Sequence, residues 1–223
     1  YMQKKLEEHG VKFYLGDTAT KFDKSTAFMK SGAKIDFDFL VLAVGVRPNT
    51  ALVKEAGGNV GRGITVDSRS KTSLTDVYAA GDCTETTDIS SGQVKIMALL
   101  PNAYMQGKTA GLNMAGKDAE FDNAVPMNSI GFFGLHMMTA GAYDGEKTVV
   151  GSGESMRTFF IKDGTLRGYI ILGDVAGAGI YTSLIREKTP LETLDLDSLF
   201  REPTLAAFPK SYRKKILAAG EEA

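Results

Sequence analysis

The chain has 223 residues, of which 43% are hydrophobic and 24% charged, which is typical of a globular protein with one or two packed domains. Its net charge of −1 excludes the strongly basic surface that nucleic acids and anionic membranes attract. The longest apolar run, residues 39–46, is too short to span a bilayer. We therefore expect no nucleic-acid and no membrane partner, and the single cysteine favours a cytoplasmic location.

The first elements alternate between helix and strand. Residues 1–9 predict a helix, because Met2 and Leu6 are four positions apart and Gly10 is a suitable C-cap. Residues 11–15 predict a short strand, and residues 18–30 predict a hairpin that turns at residues 23–25. The continuous apolar run that begins at Phe39 predicts a strand buried on both faces of a parallel sheet.

The next elements continue this α/β pattern. Residues 49–57 predict a short helix, residues 63–67 a brief strand and residues 77–81 a second buried strand. Residues 101–116 predict a longer helix, with Pro101 in its first turn and Gly116 at its end. The first half of the chain therefore has the pattern of an α/β protein.

The pattern changes near residue 120, after a polar, proline-containing stretch at residues 117–126 that suits a domain junction. Residues 155–173 predict two strands joined by a tight turn at Asp163-Gly164. Residues 178–188 predict a helix, and shorter helices are expected near residues 198–203 and 211–223. This half therefore predicts an α+β fold with antiparallel strands.

The first candidate binding feature is the Gly81-Asp82 pair after the predicted strand 77–81. Ligands of α/β sheets bind at the carboxyl ends of the strands, and a glycine allows close approach to the backbone. The carboxylate of Asp82 can only accept hydrogen bonds, so it suits sugar-like hydroxyl groups better than phosphate. An equally weighted alternative is that Asp82 simply caps the turn that follows.

Two further features stand on either side of this pair. A predicted buried strand ends at Gly45, and Arg47-Pro48 then turns the chain. The helix that begins near Pro101 offers free N–H groups and the positive end of its dipole to negative charge on a ligand. Each feature by itself also fits an ordinary loop or an ordinary amphipathic helix.

The order of the three features resembles the FAD-dependent pyridine nucleotide-disulfide oxidoreductases, a family with two dinucleotide-binding domains. The resemblance implies that Asp82, beside Gly81, hydrogen-bonds the ribityl chain of FAD. It also implies that the start of the helix faces the pyrimidine edge of the flavin. The residues concerned are Leu100, Pro101, Asn102 and Ala103. Gly45 then lies where the chain crosses from the NAD(P)H domain to the FAD domain, at residues 44–48.

The resemblance also implies a domain division. Neither Gly-x-Gly-x-x-Gly fingerprint of the family is present, and we expect the chain to be the C-terminal portion of a longer flavoprotein. Residues 1–45 would be the end of the NAD(P)H domain and residues 46–119 the end of the FAD domain. Residues 120–223 would be an α+β interface domain with an antiparallel sheet, which forms a homodimer.

The resemblance indicates the fold more closely than it indicates the reaction. Residues 162–174 and 179–191 resemble NADH oxidases, rubredoxin reductases, nitrite reductase flavoproteins and coenzyme A disulfide reductases. No catalytic residue is assigned, since His136 is followed by Met137 and not by the His-Pro-x(4)-Glu pattern. Cys83 fits a small packing residue, and the separated histidines predict no metal site.

The resemblance implies an oxidoreductase that passes hydride from NAD(P)H to FAD and on to an acceptor. Disulfide, oxygen, rubredoxin and a nitrite-reducing partner all stay open as the acceptor. The alternative is that the isolated chain is catalytically inactive and only self-associates through residues 120–223. A third possibility is a non-enzymatic module that uses the same fold for regulation.

Overall fold

The computed structural model describes residues 1–219. It divides the chain into two compact units, the first comprising Tyr1–Val46 and the second beginning at Arg47. Each unit is described by itself. Residues 1–219 contain both helices and strands, and the strands belong to three separate sheets.

The first unit contains one helix and one small antiparallel sheet. Its elements are α1 (Met2–Glu7), β1 (Ala19–Asp23), β2 (Thr26–Met29) and β3 (Lys34–Asp36), with strand order β1-β2-β3. The predicted helix and hairpin are confirmed. Lys24, at φ +47°, makes the turn that pairs Asp23 with Thr26, and Gly10 follows the helix at φ +85°.

Two strands predicted in this unit are wrong. Residues 11–15 have no strand, and the run at residues 39–46 is irregular and exposed. Phe39 is 82% exposed and Val44 91% exposed, where the prediction required burial on both faces. A parallel strand forms only when neighbouring strands satisfy its N–H and C=O groups. Among residues 1–219 no strand pairs with this run, so its apolar composition alone does not make it a strand.

The second unit begins with a small sheet and a long helix. Its first elements are α2 (Ala51–Glu55), β4 (Ile64–Thr65), β5 (Thr84–Asp88), β6 (Gln93–Ile96) and α3 (Leu100–Met114). Strand β5 is parallel to β4 and antiparallel to β6. The predictions of α2, β4 and α3 are confirmed, including Pro101 in the first turn of α3.

The predicted buried strand at residues 77–81 is wrong. Only Tyr78 makes an isolated bridge, with Lys71, and Val77 is 37% exposed. The chain turns at Gly81, whose carbonyl oxygen accepts a hydrogen bond of 3.0 Å from the Thr84 N–H. The strand therefore starts after the turn, at Thr84, and the Gly81-Asp82 pair lies before a strand instead of after one.

A five-stranded antiparallel sheet follows, and this confirms the predicted change of pattern. Its strands are β7 (Met127–Phe132), β8 (Leu135–Gly141), β9 (Glu146–Ser152), β10 (Ser155–Lys162) and β11 (Thr165–Leu172), in the order β7-β8-β11-β10-β9. The predicted turn at Asp163-Gly164 is confirmed. Both residues have positive φ, +51° and +69°, as a two-residue hairpin turn of type I′ requires.

Helices complete this part of the chain. They are α4 (Ala178–Glu187), α5 (Leu196–Arg201) and α6 (Lys210–Ala219), with 3₁₀ turns at Leu191–Thr193 and Leu205–Ala207. All three helices were predicted, although residues 220–223 of the last prediction lie outside the described residues. Within the described part of the chain, no helix is both long and apolar enough to cross a membrane.

The main core lies between the five-stranded sheet and α4. The buried side of α4 carries Tyr181, Leu184 and Ile185, which follow the i, i+3, i+4 spacing of one helix face. Phe159 of β10 is fully buried and contacts Tyr181 at 4.9 Å and Phe200 at 4.1 Å between ring centroids. This core anchors the residues after 125, whereas the candidate site depends on α3.

Candidate functional site

The Gly81-Asp82 turn presents an unpartnered carboxylate. Gly81 has φ +86°, a backbone conformation that residues other than glycine rarely adopt. The carboxylate of Asp82 is exposed, and among the side chains that the structure describes, those of residues 1–214, it has neither a hydrogen-bond nor an ion-pair partner. The alternative in which Asp82 caps the following turn therefore has no support in the described contacts.

The first turn of α3 is open to a ligand. Leu99 at the N-cap makes no side-chain capping bond, and the first turn has no acidic residue. Leu100 is 88% exposed. The N–H groups of Leu100 and Asn102 have no acceptor within the helix, and Pro101 has no N–H at all. No acidic residue of this first turn therefore neutralises the positive end of the helix dipole.

Asn102 offers a ligand its backbone N–H group, because its side chain is buried. Its side chain is 1% exposed, and Nδ2 donates to the carbonyl oxygen of Val125 at 3.3 Å. Nδ2 also lies 3.9 Å from the sulfur of Met97. The buried Oδ1 atom has no hydrogen-bond partner among the described residues. Asn102 therefore fixes the start of α3 to the chain that leads into β7, with one acceptor left over.

A cavity opens beside this helix terminus. Its volume is about 530 Å³, and residues 98–101 form one side of it. The other side is formed by Met127, Ser129 and Met138, from β7 and β8. Leu100 and Pro101, two of the predicted cofactor-binding residues, thus line a mostly apolar recess within the second unit.

The turn and the helix are in direct contact. A Cβ atom at Gly81 would lie 3.6 Å from Cβ of Ala103. One helical turn further along α3, Oε1 of the buried Gln106 accepts a hydrogen bond of 2.8 Å from the Gly81 N–H. Thr84 Oγ1 lies 3.1 Å from the same Oε1 atom and 2.8 Å from the Gly81 carbonyl oxygen.

The structure therefore brings six of the seven predicted residues to one turn and one helix end: Gly81 and Asp82 at the turn, and Leu100, Pro101, Asn102 and Ala103 at the start of α3. Gly45 belongs to the first unit, where it has φ +96°. Sequence reasoning missed Gln106 and Thr84. A signal existed for Gln106, because it lies three positions after Ala103 and so on the same face of the helix.

Other reactive side chains have structural partners. Cys83 Sγ lies 3.4 Å from the carbonyl oxygen of Ala80 and is half-buried. His136 packs over Gly131, its partner across β7 and β8, where a Cβ atom would clash with the imidazole ring. Over residues 1–219, no three His, Cys, Asp or Glu side chains converge as metal ligands would.

Residues 1–107 match the family model described as pyridine nucleotide-disulphide oxidoreductase. The resemblance predicted from the sequence is confirmed. The chain is 38% identical over 124 residues to an NADH oxidase of Methanocaldococcus jannaschii, covering 54% of this chain and 28% of the relative. It is 28% identical over 206 residues to the epsilon subunit of NADH-dependent phenylglyoxylate dehydrogenase of Aromatoleum evansii, covering 86% of this chain and 49% of the relative.

The chain thus spans less than half the length of both relatives. Solved structures with the same fold include an NAD-dependent persulfide reductase from A. fulgidus, with TM-score 0.80, 24% identity and coverage of 86% of this chain and 41% of that one. A second is an FAD-dependent pyridine nucleotide-disulphide oxidoreductase from Desulfovibrio vulgaris, with TM-score 0.80 and 24% identity. This match covers 90% of this chain and 56% of that one. These two likenesses describe the fold alone.

Proposed function

We propose that the second unit holds FAD in an NAD(P)H-dependent flavoprotein oxidoreductase. The observation that carries the proposal is the exposed carboxylate of Asp82, which has no partner in the described part of the chain, on a turn fixed against the uncapped start of α3. The family match over residues 1–107 includes both features and supports the same conclusion.

The residues present fit the chemistry of this cofactor. A carboxylate that only accepts hydrogen bonds suits the hydroxyl groups of a ribityl chain. The free N–H groups of Leu100 and Asn102 suit the carbonyl oxygens of a flavin pyrimidine ring, and the helix dipole favours negative charge there. The buried Oδ1 atom of Asn102 still requires a hydrogen-bond donor, which a water molecule or a ligand can supply.

The chain's own residues bind and polarise, because the cofactor supplies the reactive atoms. When bound, FAD accepts hydride from NAD(P)H and passes electrons to an acceptor. Asp82 would hold the sugar-like chain, and the start of α3 would favour negative charge on the ring. Since the first turn of α3 has no acidic residue, no side chain of that turn reduces its attraction for that charge.

A visible absorption spectrum tests the proposal. FAD is added to the purified chain, the excess is removed by gel filtration, and the spectrum of the protein fraction is recorded. We expect a retained flavin band that is much weaker in the Asp82→Asn variant. A wild-type chain without the band contradicts FAD binding by this chain, and equal bands in both proteins remove Asp82 from the site.

A second proposal concerns self-association through residues 120–223, in a cytoplasmic homodimer. Strand β7 lies at an edge of the five-stranded sheet, and Ile130 in that strand is 50% exposed. Edge strands present unpaired N–H and C=O groups that a second copy can satisfy. Sedimentation velocity of the whole chain should show a dimer, and Ile130→Lys should shift it toward monomer. A wild-type monomer at high concentration contradicts this proposal.

A further inference from the structure

Gln106 is a buried polar residue that none of the proposed cofactor contacts requires. It is 4% exposed and lies on the buried face of α3, with Asn102, Thr109 and Ala110. Its Oε1 atom accepts from the Gly81 N–H at 2.8 Å and lies 3.1 Å from Thr84 Oγ1. A backbone N–H can only donate, so the oxygen and not the nitrogen of the side-chain amide must face Gly81.

The surroundings of Gln106 make this contact specific. Thr84 is 1% exposed and Ser70 is 2% exposed. Ser70 Oγ donates to the backbone carbonyl oxygen of Gln106 at 3.3 Å. The side chain therefore lies within a small buried polar group that joins the strand β5, the loop before it and the helix α3. Buried groups of this kind fix geometry because each member loses a partner when another moves.

The contact also fixes the two candidate cofactor-binding features relative to each other. The Gly81 end of the bond belongs to the turn that carries Asp82. The Gln106 end lies one helical turn after Ala103, and side chains of helices lean toward the N-terminus. Gly81 and Ala103 are close enough that no side chain separates the turn from the helix.

We propose that Gln106 is a positioning residue that sets the distance between the Asp82 carboxylate and the first turn of α3, and thereby sets the affinity for FAD. This inference rests on the proposed function, since it assigns a role to Gln106 in the same site. Gln106 itself does not contact the cofactor. It holds the acceptor for ribityl hydroxyls and the N–H donors for the flavin ring in a fixed relation, so both can bind one ligand at once.

The main test compares Gln106→Met with Asn113→Leu. Met has nearly the shape of Gln but no acceptor for the Gly81 N–H. The control removes an amide from the same helix, where Asn113 bonds the carbonyl oxygens of Arg69 and Ala119 and not the Gly81 turn. The measurements are the dissociation constant for FAD, by quenching of flavin fluorescence, and the hydrogen exchange rate of the Gly81 amide, by NMR.

We expect Gln106→Met to raise the dissociation constant for FAD about tenfold and to speed exchange of the Gly81 amide by a similar factor, as the loss of one buried hydrogen bond implies. Asn113→Leu should leave both values within about twofold of wild type, since its contacts are elsewhere. Gln106→Glu keeps a side-chain oxygen acceptor and should restore slow exchange at Gly81. A merely structural role would not produce this pattern at one amide.

Two results would overturn the inference. One is a dissociation constant for Gln106→Met within twofold of wild type. The other is an equal rise in Asn113→Leu, which would mean that general instability of α3 and not the turn controls binding. The wild-type titration tests the proposed function separately. If the wild-type chain does not bind FAD, the proposed function fails, whatever the variants do.

Discussion

The carboxylate of Asp88 lies 2.7 Å from Nζ of Lys95 across the β5–β6 hairpin, and it has no exposed surface. Ser90 and Ser91 each donate a hydroxyl hydrogen bond of 2.6 Å to the same carboxylate. Burial by itself raises the pKa of Asp88, but the hydrogen bonds from Lys95 and the two serines outweigh it and lower the pKa. The charged form is therefore the native one.

This pair predicts a pH-dependent stability. Because the folded pKa of Asp88 lies below the unfolded value, its contribution is present above that unfolded value and is lost as the pH falls through the lowered pKa. Asp88→Asn should cost about 2 kcal/mol at pH 7, and the difference from wild type should shrink in strong acid. Urea unfolding of wild type and variant, at pH 7 and in strong acid, measures this difference in the free energy of unfolding. Asp122→Asn is the control, because Asp122 is exposed and should change neither value.

Asp82→Asn tests the proposed cofactor contact without removing a contact of the folded chain. The exposed carboxylate has no partner among residues 1–219, so the unfolding transition should not move. The dissociation constant for FAD should rise roughly tenfold or more, as expected when hydrogen bonds to a charged acceptor are lost. Asp76→Asn, in the preceding exposed turn, is the matched control. Equal FAD affinity of both variants would contradict the assignment of Asp82.

Two glycines predict opposite effects of the same substitution. Gly164 has φ +69° and open space where a Cβ would lie, so Gly164→Ala should destabilise by about 1 kcal/mol through backbone strain alone. Gly111 lies inside α3 with equally open space and no positive φ. Gly111→Ala should therefore stabilise by up to about 1 kcal/mol. Thermal unfolding of both variants measures this, and shifts of equal sign would mean that the hairpin turn is not as described.

Tyr181 predicts a loss of stability in alkali. Its hydroxyl donates a 2.6 Å hydrogen bond to the carbonyl oxygen of Leu199, and burial raises its pKa to about 12. The unfolded chain releases this proton near its ordinary pKa of 10.0, so the contribution is complete below that value and is lost as the pH rises toward 12.

Tyr181→Phe should lower the free energy of unfolding by about 1 kcal/mol at neutral pH. Between pH 9 and 11, a range set by the ordinary tyrosine pKa of about 10, the free energy of unfolding should fall less in this variant than in wild type. Guanidinium unfolding over that range measures the two slopes. Tyr104→Phe is the control, since Tyr104 is 71% exposed and should leave both the neutral value and the slope unchanged. Parallel slopes for wild type and Tyr181→Phe would contradict the burial of this hydroxyl.

Local signals in the sequence predicted the elements that depend on few neighbours. The Asp163-Gly164 turn and the helix that begins near Pro101 follow from the conformations those residues favour, and both are confirmed. The strands predicted at residues 39–44 and 77–81 depend on neighbouring strands, which hydrophobicity does not reveal, and both are wrong. Apolar runs report a preference for burial but not the presence of a partner.

The candidate site shows the same division. Gly81, Asp82 and the first turn of α3 were found from the order of motifs along the chain. Gln106 was not, because its partner is a backbone N–H 25 positions earlier, and no local rule connects the two. Its role depends on how the turn and the helix pack, which only the folded chain shows. The assignment of these residues to FAD stays a prediction until the titrations are made.

The exposed run at residues 39–46 has a consequence for handling the protein. It contains no charged residue and no proline, and four of its eight residues, Phe39, Val41, Val44 and Val46, favour extended structure. Identical copies of such a segment can stack side by side into cross-β assemblies when they meet in solution. Purified material should therefore become turbid as concentration and salt rise, and a lysine in place of Val41 or Val44 should delay that turbidity.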